Sequence, residues 1–296
     1  MNVLSLFDGI SCGRVAFDRA GINVDNYYAS EIDEYAIKIS QHNYKDIIRL
    51  GDIKKWKEWD IDWENIDIVL GGFPCQAWST AGCQLGDKNE KGMLFWDMLE
   101  IMKYVISKNS YAYFLIENVK MKKEFEEYIT FHTEQALTNV NKILINSKLV
   151  SAQNRERYYW TNICDIEQPE DKNILLSDIV DGYVDRDKSM CIDANYGRGG
   201  NLRRYFFRGS RQVVFNDRDF MLSIDKKNKI HTIDNINIYG NNNKDKWRML
   251  SVEECERLQT LPIGYTSCVS KVRAYHGIGN GWTVDVISHI LQNIKV

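Results

Sequence analysis

Four short apolar runs, Val3–Phe7, Tyr27–Ser30, Ile66–Leu70 and Tyr113–Ile116, punctuate the first 120 residues of the chain. Between them lie stretches with helical spacing. Arg14–Ala20 is closed by Gly21, and Glu34–His42 can be capped by Asp33. In Leu94–Ile106, residues Leu94, Met98, Ile101, Met102 and Val105 fall on one face. Strand and helix in alternation close as a parallel sheet with helices on both faces. The expected fold class is α/β, a doubly wound, mostly parallel sheet with a smaller inserted domain. Such sheets place their chemistry at the carboxyl ends of the strands.

Several strand ends carry chemically capable residues. The run from Ile66 enters Gly71-Gly72 and then Phe73-Pro74-Cys75-Gln76, which sets a thiol on a turn beside a rigid proline. A lone cysteine after a strand is more often simply buried, so this segment decides nothing alone. Residues 76–92 are polar and glycine-punctuated, the composition of a loop able to close over a ligand. Glu117 follows Tyr113–Ile116, a setting that suits a general acid, and Asn118 is expected to brace backbone. Phe7-Asp8-Gly9-Ile10-Ser11-Cys12-Gly13 is a strand followed by a glycine turn, where backbone can approach a ligand closely. It lacks the first glycine of the dinucleotide fingerprint. Glu31 ends the second strand about twenty residues downstream, where an acid can bind ribose hydroxyls. Asp52, in Gly51-Asp52-Ile53, can accept a hydrogen bond from an adenine amino group. Arg155 and Arg157 flank Glu156, and on an extended segment both arginines share one face.

The remainder is less periodic. Leu149–Ala152 and Tyr158–Thr161 read as a hairpin-like pair around Gln153–Arg157. Residues 165 to about 247 are rich in Asn, Asp, Gly and Lys and look loop-heavy, yet Tyr205-Phe206-Phe207 and Val213-Val214-Phe215 supply apolar surface against disorder. Ser251-Val252-Glu253-Glu254 is a capping box opening a helix through Leu258. Val284, Ile287, Ile290, Leu291 and Ile294 form the stripe of a C-terminal helix.

A length of 296 residues is enough for a full α/β core and a second lobe. The seven cysteines are scattered and include no C-x-x-C pair, which argues against a disulfide framework or a structural metal, and none is expected. No apolar run can span a bilayer and the N-terminus lacks a signal-peptide layout, so a cytoplasmic location is expected, with no membrane partner. A net charge of −3 does not announce a nucleic-acid binder, but charge is unevenly spread. After the acidic stretch 165–187, Arg198, Arg203, Arg204, Arg208 and Arg211 occur with no acidic residue among them, interleaved with Gly, Tyr and Phe. That pattern fits a phosphate-contacting surface as well as a solvated face. Few prolines and abundant Asn, Lys and Ile suggest an AT-rich bacterial or phage genome.

Taken in order, Phe7–Gly13, Phe73-Pro74-Cys75-Gln76, Glu117-Asn118-Val119, Gln153-Asn154-Arg155-Glu156-Arg157 and Gly279-Asn280-Gly281-Trp282 resemble the cytosine-C5 DNA methyltransferase family. Arg248-Met249-Leu250, Glu254, Arg257-Leu258-Gln259 and Leu261-Pro262 match a further, chiefly structural, family motif. The match covers nearly the whole chain except residues 165–245. Leu149-Val150-Ser151-Ala152 lacks the Tyr-Gly-x-Pro of many bacterial members. There and at Gly277–His289 the chain looks more like the animal de novo branch, whereas the Phe-Pro-Cys-Gln loop looks bacterial.

The resemblance implies methyl transfer from S-adenosylmethionine to C5 of cytosine in double-stranded DNA, on a Rossmann-like methyltransferase domain. It implies a covalent Cys–C6 adduct on a flipped base. By it, Cys75 is the nucleophile, Glu117 the acid at N3, Arg157 the cation at O2, and Arg155 a support for the closed loop or a phosphate. Cofactor contacts are implied at Phe7, Asp8, Gly9, Glu31, Ile32, Asp52, Ile53, Pro74, Leu94, Asn280, Gly281 and Trp282. DNA contacts are implied at Gln76 and Ser79, and the basic cluster adds Arg203, Arg204 and Arg208. The expected domains are 1–164 plus 271–296 for catalysis and cofactor, and 165–270 for target recognition. A restriction endonuclease partner is consistent with this reading, and oligomeric state is not legible. A tRNA cytosine-C5 methyltransferase and a catalytically silent DNA-binding homologue are the alternatives. The first would carry a Cys-Phe-Thr signature, which is absent; the second would have lost Cys75 or Glu117, and both are present.

Replacing Arg203 and Arg204 together by Ala is expected to weaken DNA binding and to flatten its salt dependence, by about 0.9 in log–log slope for each phosphate left without its cation. Binding titrations across a salt series measure this.

Overall fold

The computed structural model describes residues 1–75, 78, 90–202, 205, 206, 209, 211–224 and 245–295. The chain divides into two compact units: 1–146 with 156–168 and 284–296, and 147–155 with 169–283.

The first unit is built on a seven-stranded sheet. In chain order its elements are β1 (Asn2–Leu6), α1 (Cys12–Ala20), β2 (Asn26–Ser30), α2 (Glu34–Asn43), β3 (Ile48–Gly51), β4 (Ile68–Gly71), α3 (Glu90–Lys108), β5 (Tyr113–Val119), α4 (Lys123–Ala136), β6 (Asn141–Asn146) and β7 (Glu156–Thr161). The C-terminal helix Val284–Leu291 returns to pack on α1. The strand order is β3-β2-β1-β4-β5-β7-β6. Pairings among β1 to β5 are parallel, and β7 runs antiparallel to both β5 and β6. Order reverses at β1, which pairs with β2 on one side and β4 on the other. Such a switch point opens a crevice at the strands' carboxyl ends.

The central strands are the apolar runs of the sequence, because a parallel strand is covered on both faces. All four residues of β4 are buried. At its end Gly71 is required by packing: a Cβ there would lie 2.6 Å from Met98 Sδ of α3. Asp33 caps α2 by accepting from the N–H groups of Tyr35 and Ala36, and α1 ends at Gly21 with φ 72°.

The strand preceding β7 that forms a hairpin with it is β6, rather than Leu149–Ala152 as the sequence suggests. Ser147–Leu149 forms a 3₁₀ turn, and Gln153 makes only an isolated bridge to Ser189. β6 is an edge strand with one buried residue, Ile145, and its Asn and Lys residues mask it. The edge strand β3 and helix α4 also lie outside the elements expected from sequence.

The second unit contains a two-stranded sheet, β8 (Val213–Phe215) with β9 (Trp247–Met249), and helices α5 (Arg218–Ser223), α6 (Val252–Leu258) and α7 (Lys271–Asn280). Its limits differ from the expected 165–270: residues 147–155 and 271–283 belong to it, and 165–168 belong to the first unit. The sequence gives no sign of α7, because Gly277 and Gly279 sit inside it. Gly279 is needed there: a Cβ would come within 2.3 Å of the Asp193 backbone. Among the described residues of 165–247, Leu202, Tyr205, Val213, Phe215 and Ile224 pack into a small core, as the apolar runs there suggest. The capping box forms as expected, with Ser251 Oγ accepting from Glu254 N and Glu254 accepting from Ser251 N. Glu254 also receives both Arg248 Nη atoms at 2.7 Å. Among the described residues, no helix is long and apolar enough to cross a membrane, and the six described cysteines form no disulfide.

Burial pushes the Glu254 carboxyl up, but hydrogen bonds from Arg248 and from the N–H groups of Ser251 and Asp181 outweigh it and hold the group below its ordinary value of 4.5. A depressed carboxylate contributes stability above its unfolded pKa and loses it as pH falls through the folded one. Glu254→Gln is therefore expected to lower the urea midpoint at neutral pH, with the gap to wild type closing as pH drops from about 7 to about 3. Denaturation curves across that range check the sign.

Candidate active site

The parallel register sets which side chains share an edge. Gly71 of β4 pairs with Ile116 of β5, so Glu117 emerges one residue later, beside the start of Gly72-Phe73-Pro74-Cys75. Asn118 fixes that segment: its buried Nδ2 donates to Phe73 O at 3.0 Å, and its Oδ1 accepts from Val119 N at 2.8 Å. This is the brace expected of it. Cys75 itself is half-buried, and its carbonyl accepts from Trp78 N at 3.0 Å.

β7 delivers the guanidinium. Glu117 pairs with Tyr159 and Val119 with Arg157, so Glu117 and Arg157 are diagonal neighbours on one face. Arg157 Nε lies 2.9 Å from Glu117 Oε1, and each side chain is 11% exposed. Arg157 Nη1 also donates to Glu156 O at 2.8 Å. The pair is thus oriented and largely shielded, yet reachable. An acid and a cation held together can protonate or polarise two neighbouring heteroatoms of one ligand.

The other strand ends carry the expected cofactor residues. The turn after β1 is held in left-handed backbone at Phe7 (φ 55°), Gly9 (φ 57°) and Ser11 (φ 62°). For Phe7 and Ser11 this costs on the order of 1–3 kcal/mol each. Asp8 offsets it. Its buried carboxylate accepts from Tyr27 OH at 2.9 Å, from Ser11 Oγ, and from Arg49 Nη1 at 3.3 Å, and Arg49 Nη2 donates to Ser40 Oγ. Burial pushes the Asp8 carboxyl up, opposed by these partners. The Asp8 side chain is therefore turned into the protein, and only its backbone is left to meet a cofactor. Arg49, on the edge strand β3, gives no signal in the sequence.

Glu31 is set by three N–H groups, Gly9 on one oxygen and Ile32 and Asp33 on the other, all at 2.8 Å. The oxygen that accepts only from Gly9 N keeps acceptor capacity for a hydroxyl. Asp52 accepts from Lys54 N at 3.0 Å. Ile32 is 72% exposed, an aliphatic surface next to the carboxylate, whereas Ile53 is 4% exposed in the core, so its side chain does not present to a ligand. A Cβ on Gly9 would meet only Phe7 O, at 3.9 Å, so backbone there is open. Two acids, an open turn and an exposed apolar side chain fit S-adenosylmethionine: acceptors for ribose and amino groups and a surface for the adenine ring. Pro74 and Leu94 are half-buried in the same unit.

Arg155 departs from expectation. It is 3% exposed, and its Nη1 donates to Ile192 O at 3.0 Å while Nη2 donates to Gly281 O at 2.9 Å and Gly279 O at 3.3 Å. It ties the second unit together and is not presented to a phosphate. Gln153 and Gln259 complete this hub: Gln153 accepts from Ile192 N, and Gln259 donates to Ile278 O and Gly281 O. These bonds hold the backbone of Asn280-Gly281-Trp282, with Asn280 exposed and Trp282 half-buried. Gln76, Ser79, Arg203, Arg204 and Arg208 lie outside the described residues.

Comparison with known proteins decides the family. The model for C-5 cytosine-specific DNA methylase matches residues 1–179 and 194–296. The chain belongs to that family. It is 31% identical over 99% of its length to Type II methyltransferase M1.ScrFI of Lactococcus lactis subsp. cremoris, covering 77% of that protein. It is 30% identical, again over 99%, to Type II methyltransferase M.NlaX of Neisseria lactamica, covering 96% of it. Its fold is similar to that of a Spodoptera frugiperda DNMT2 mutant, with TM-score 0.69 and 18% identity over 99% of this chain and 98% of that one. S. pombe Dnmt2 gives TM-score 0.66 at 16% identity, with 99% and 98% covered. The methylase transfers a methyl group from S-adenosylmethionine to C5 of cytosine in DNA.

Arg157→Lys keeps the charge but loses the planar Nε–H directed at Glu117. A drop in kcat of about tenfold or more is expected, with cofactor affinity within about twofold, in single-turnover methylation and cofactor titration.

Proposed function

We propose that methylation proceeds through a covalent Cys75–cytosine adduct formed on a base turned out of the duplex. The support for this reading is the oriented Glu117–Arg157 pair at the same strand edge as Cys75. C5 of an aromatic pyrimidine is a poor nucleophile. The Cys75 thiolate adds to C6 and opens the C5=C6 bond. Negative charge then builds on N3 and O2, where Glu117 supplies a proton to N3 and Arg157 faces O2. C5 is now enamine-like. Bound S-adenosylmethionine supplies an electrophilic methyl group. After C5 is alkylated, the N3 proton returns to Glu117. Loss of the C5 proton to a base then restores the double bond and expels the thiolate. C6 is shielded in stacked DNA, so the target nucleotide must leave the helix.

The second unit, with the arginines from Arg198 to Arg211, would select the target sequence. The Type II names of the relatives suggest a restriction endonuclease partner and work in the cytoplasm of a bacterium or phage-infected cell.

Cys75→Ala is expected to abolish methyl transfer while leaving cofactor binding within about twofold. Duplex DNA carrying 5-fluorocytosine should trap a covalent complex, since fluorine blocks the last elimination. Methylation by the Cys75→Ala protein, or no trapped species with wild type, would exclude the thiolate route.

A further inference from the structure

Three residues after the nucleophile, the chain buries an indole. Trp78 is 1% exposed and sits among four rings of the first unit. Phe73 lies 6.0 Å from it at 84°, Phe95 5.9 Å at 69°, Phe125 5.7 Å at 88° and Tyr128 5.9 Å at 31°. These geometries are mostly edge-to-face, the favourable arrangement for aromatic quadrupoles. The rings come from three places: the segment before Cys75, helix α3 and helix α4. The main chain of the same residue closes the turn that holds Cys75, through Trp78 N donating to Cys75 O at 3.0 Å. On the other side of Cys75, Asn118 holds Phe73 O. The nucleophile therefore lies between two fixed points, one polar and one aromatic.

The indole Nε1–H is buried and has no hydrogen-bond partner. A tryptophan retained for its N–H would be bonded, so what this site uses is ring shape and contact area. We propose that Trp78 is a positioning residue for the Cys75 thiol: its ring, seated on Phe73, Phe95, Phe125 and Tyr128, fixes the turn that presents sulfur to C6. It touches neither substrate nor cofactor. A displacement of about 1 Å at a reacting atom can cost on the order of a hundredfold in rate. Loss of the anchor therefore acts on adduct formation rather than on the cofactor turns after β1, β2 and β3. This inference rests on the covalent reading above, and its test separates the two.

The test measures adduct formation on 5-fluorocytosine duplex DNA, single-turnover methylation and S-adenosylmethionine affinity, each normalised to folded protein. Trp78→Ala is expected to slow adduct formation about tenfold to a hundredfold, with cofactor affinity within about twofold. Trp78→Phe, which keeps a ring and discards the unpaired N–H, should return to within about threefold of wild type. Ile101→Ala, a fully buried change elsewhere on α3, serves as the stability control and should keep its rate per folded molecule. Should Trp78→Ala fail to fold, Trp78→Leu replaces it, with at least a fivefold loss in adduct rate expected, roughly half of the logarithmic effect. The proposal is overturned if the Ala or Leu protein forms adduct at the wild-type rate. It is also overturned if cofactor affinity falls in step with the rate, if Trp78→Phe is as slow as Trp78→Ala, or if Ile101→Ala slows equally. If wild type itself forms no adduct, the covalent reading fails instead.

Discussion

The parallel pairing of β4 with β5 is the constraint that brings Cys75 and Glu117 to one edge of the sheet. Because Gly71, the last residue of β4, stands opposite Ile116, Glu117 of β5 lies one residue beyond the end of β4. One strand delivers a thiol-bearing turn and the other a carboxylate. A slip of one residue would carry Glu117 to the opposite face of the sheet, away from Arg157. Four wholly buried residues in β4 make such a slip costly, since each would have to exchange its packing against the helices. The placement of Cys75 and Glu117 is thus secured by apolar burial in the strands that lead to them.

The same logic runs along the sheet. β1, β2 and β3 end at the Phe7–Ser11 turn, Glu31 and Asp52, all at the carboxyl edge shared with Cys75. The turn after β1 is conformationally expensive, and a buried carboxylate with hydroxyl and guanidinium partners stabilises it. Charge is thereby used inside the protein to shape backbone, while a second acid nearby remains in position to accept hydrogen bonds from a ligand. Two carboxylates twenty-three residues apart in sequence serve opposite purposes, and only their surroundings distinguish them.

How much of this is legible in the sequence depends on burial. Central parallel strands announce themselves as unbroken apolar runs, so β1, β4 and β5 can be read directly, with Cys75 after β4; β5 runs on past Ile116 to Val119, so Glu117 lies within it rather than at its end. Edge strands cannot: β6 hides behind Asn141, Lys142 and Asn146, and β3 behind a short stretch around Arg49. α7 escapes notice because Gly277 and Gly279 argue against a helix, and the purpose of Gly279, close approach to the Asp193 backbone, exists only in three dimensions. Asp8 and Arg155 look in sequence like ligand-facing residues of a motif. Both prove to be internal struts, because a short motif fixes residue identity and spacing but not which way a side chain turns. Glu117 and Arg157 meet as expected because strand alternation does fix their face.

The hub of the second unit has a practical corollary. Gln153, Gln259 and Thr283 join it through neutral amide and hydroxyl groups, and its cation, Arg155, is sealed against backbone carbonyls. Buried contacts of this kind feel little of the ionic atmosphere. Grip on a polyanion, in contrast, rises and falls with counterion release. Added electrolyte therefore weakens the hold on nucleic acid while leaving this buried hub intact.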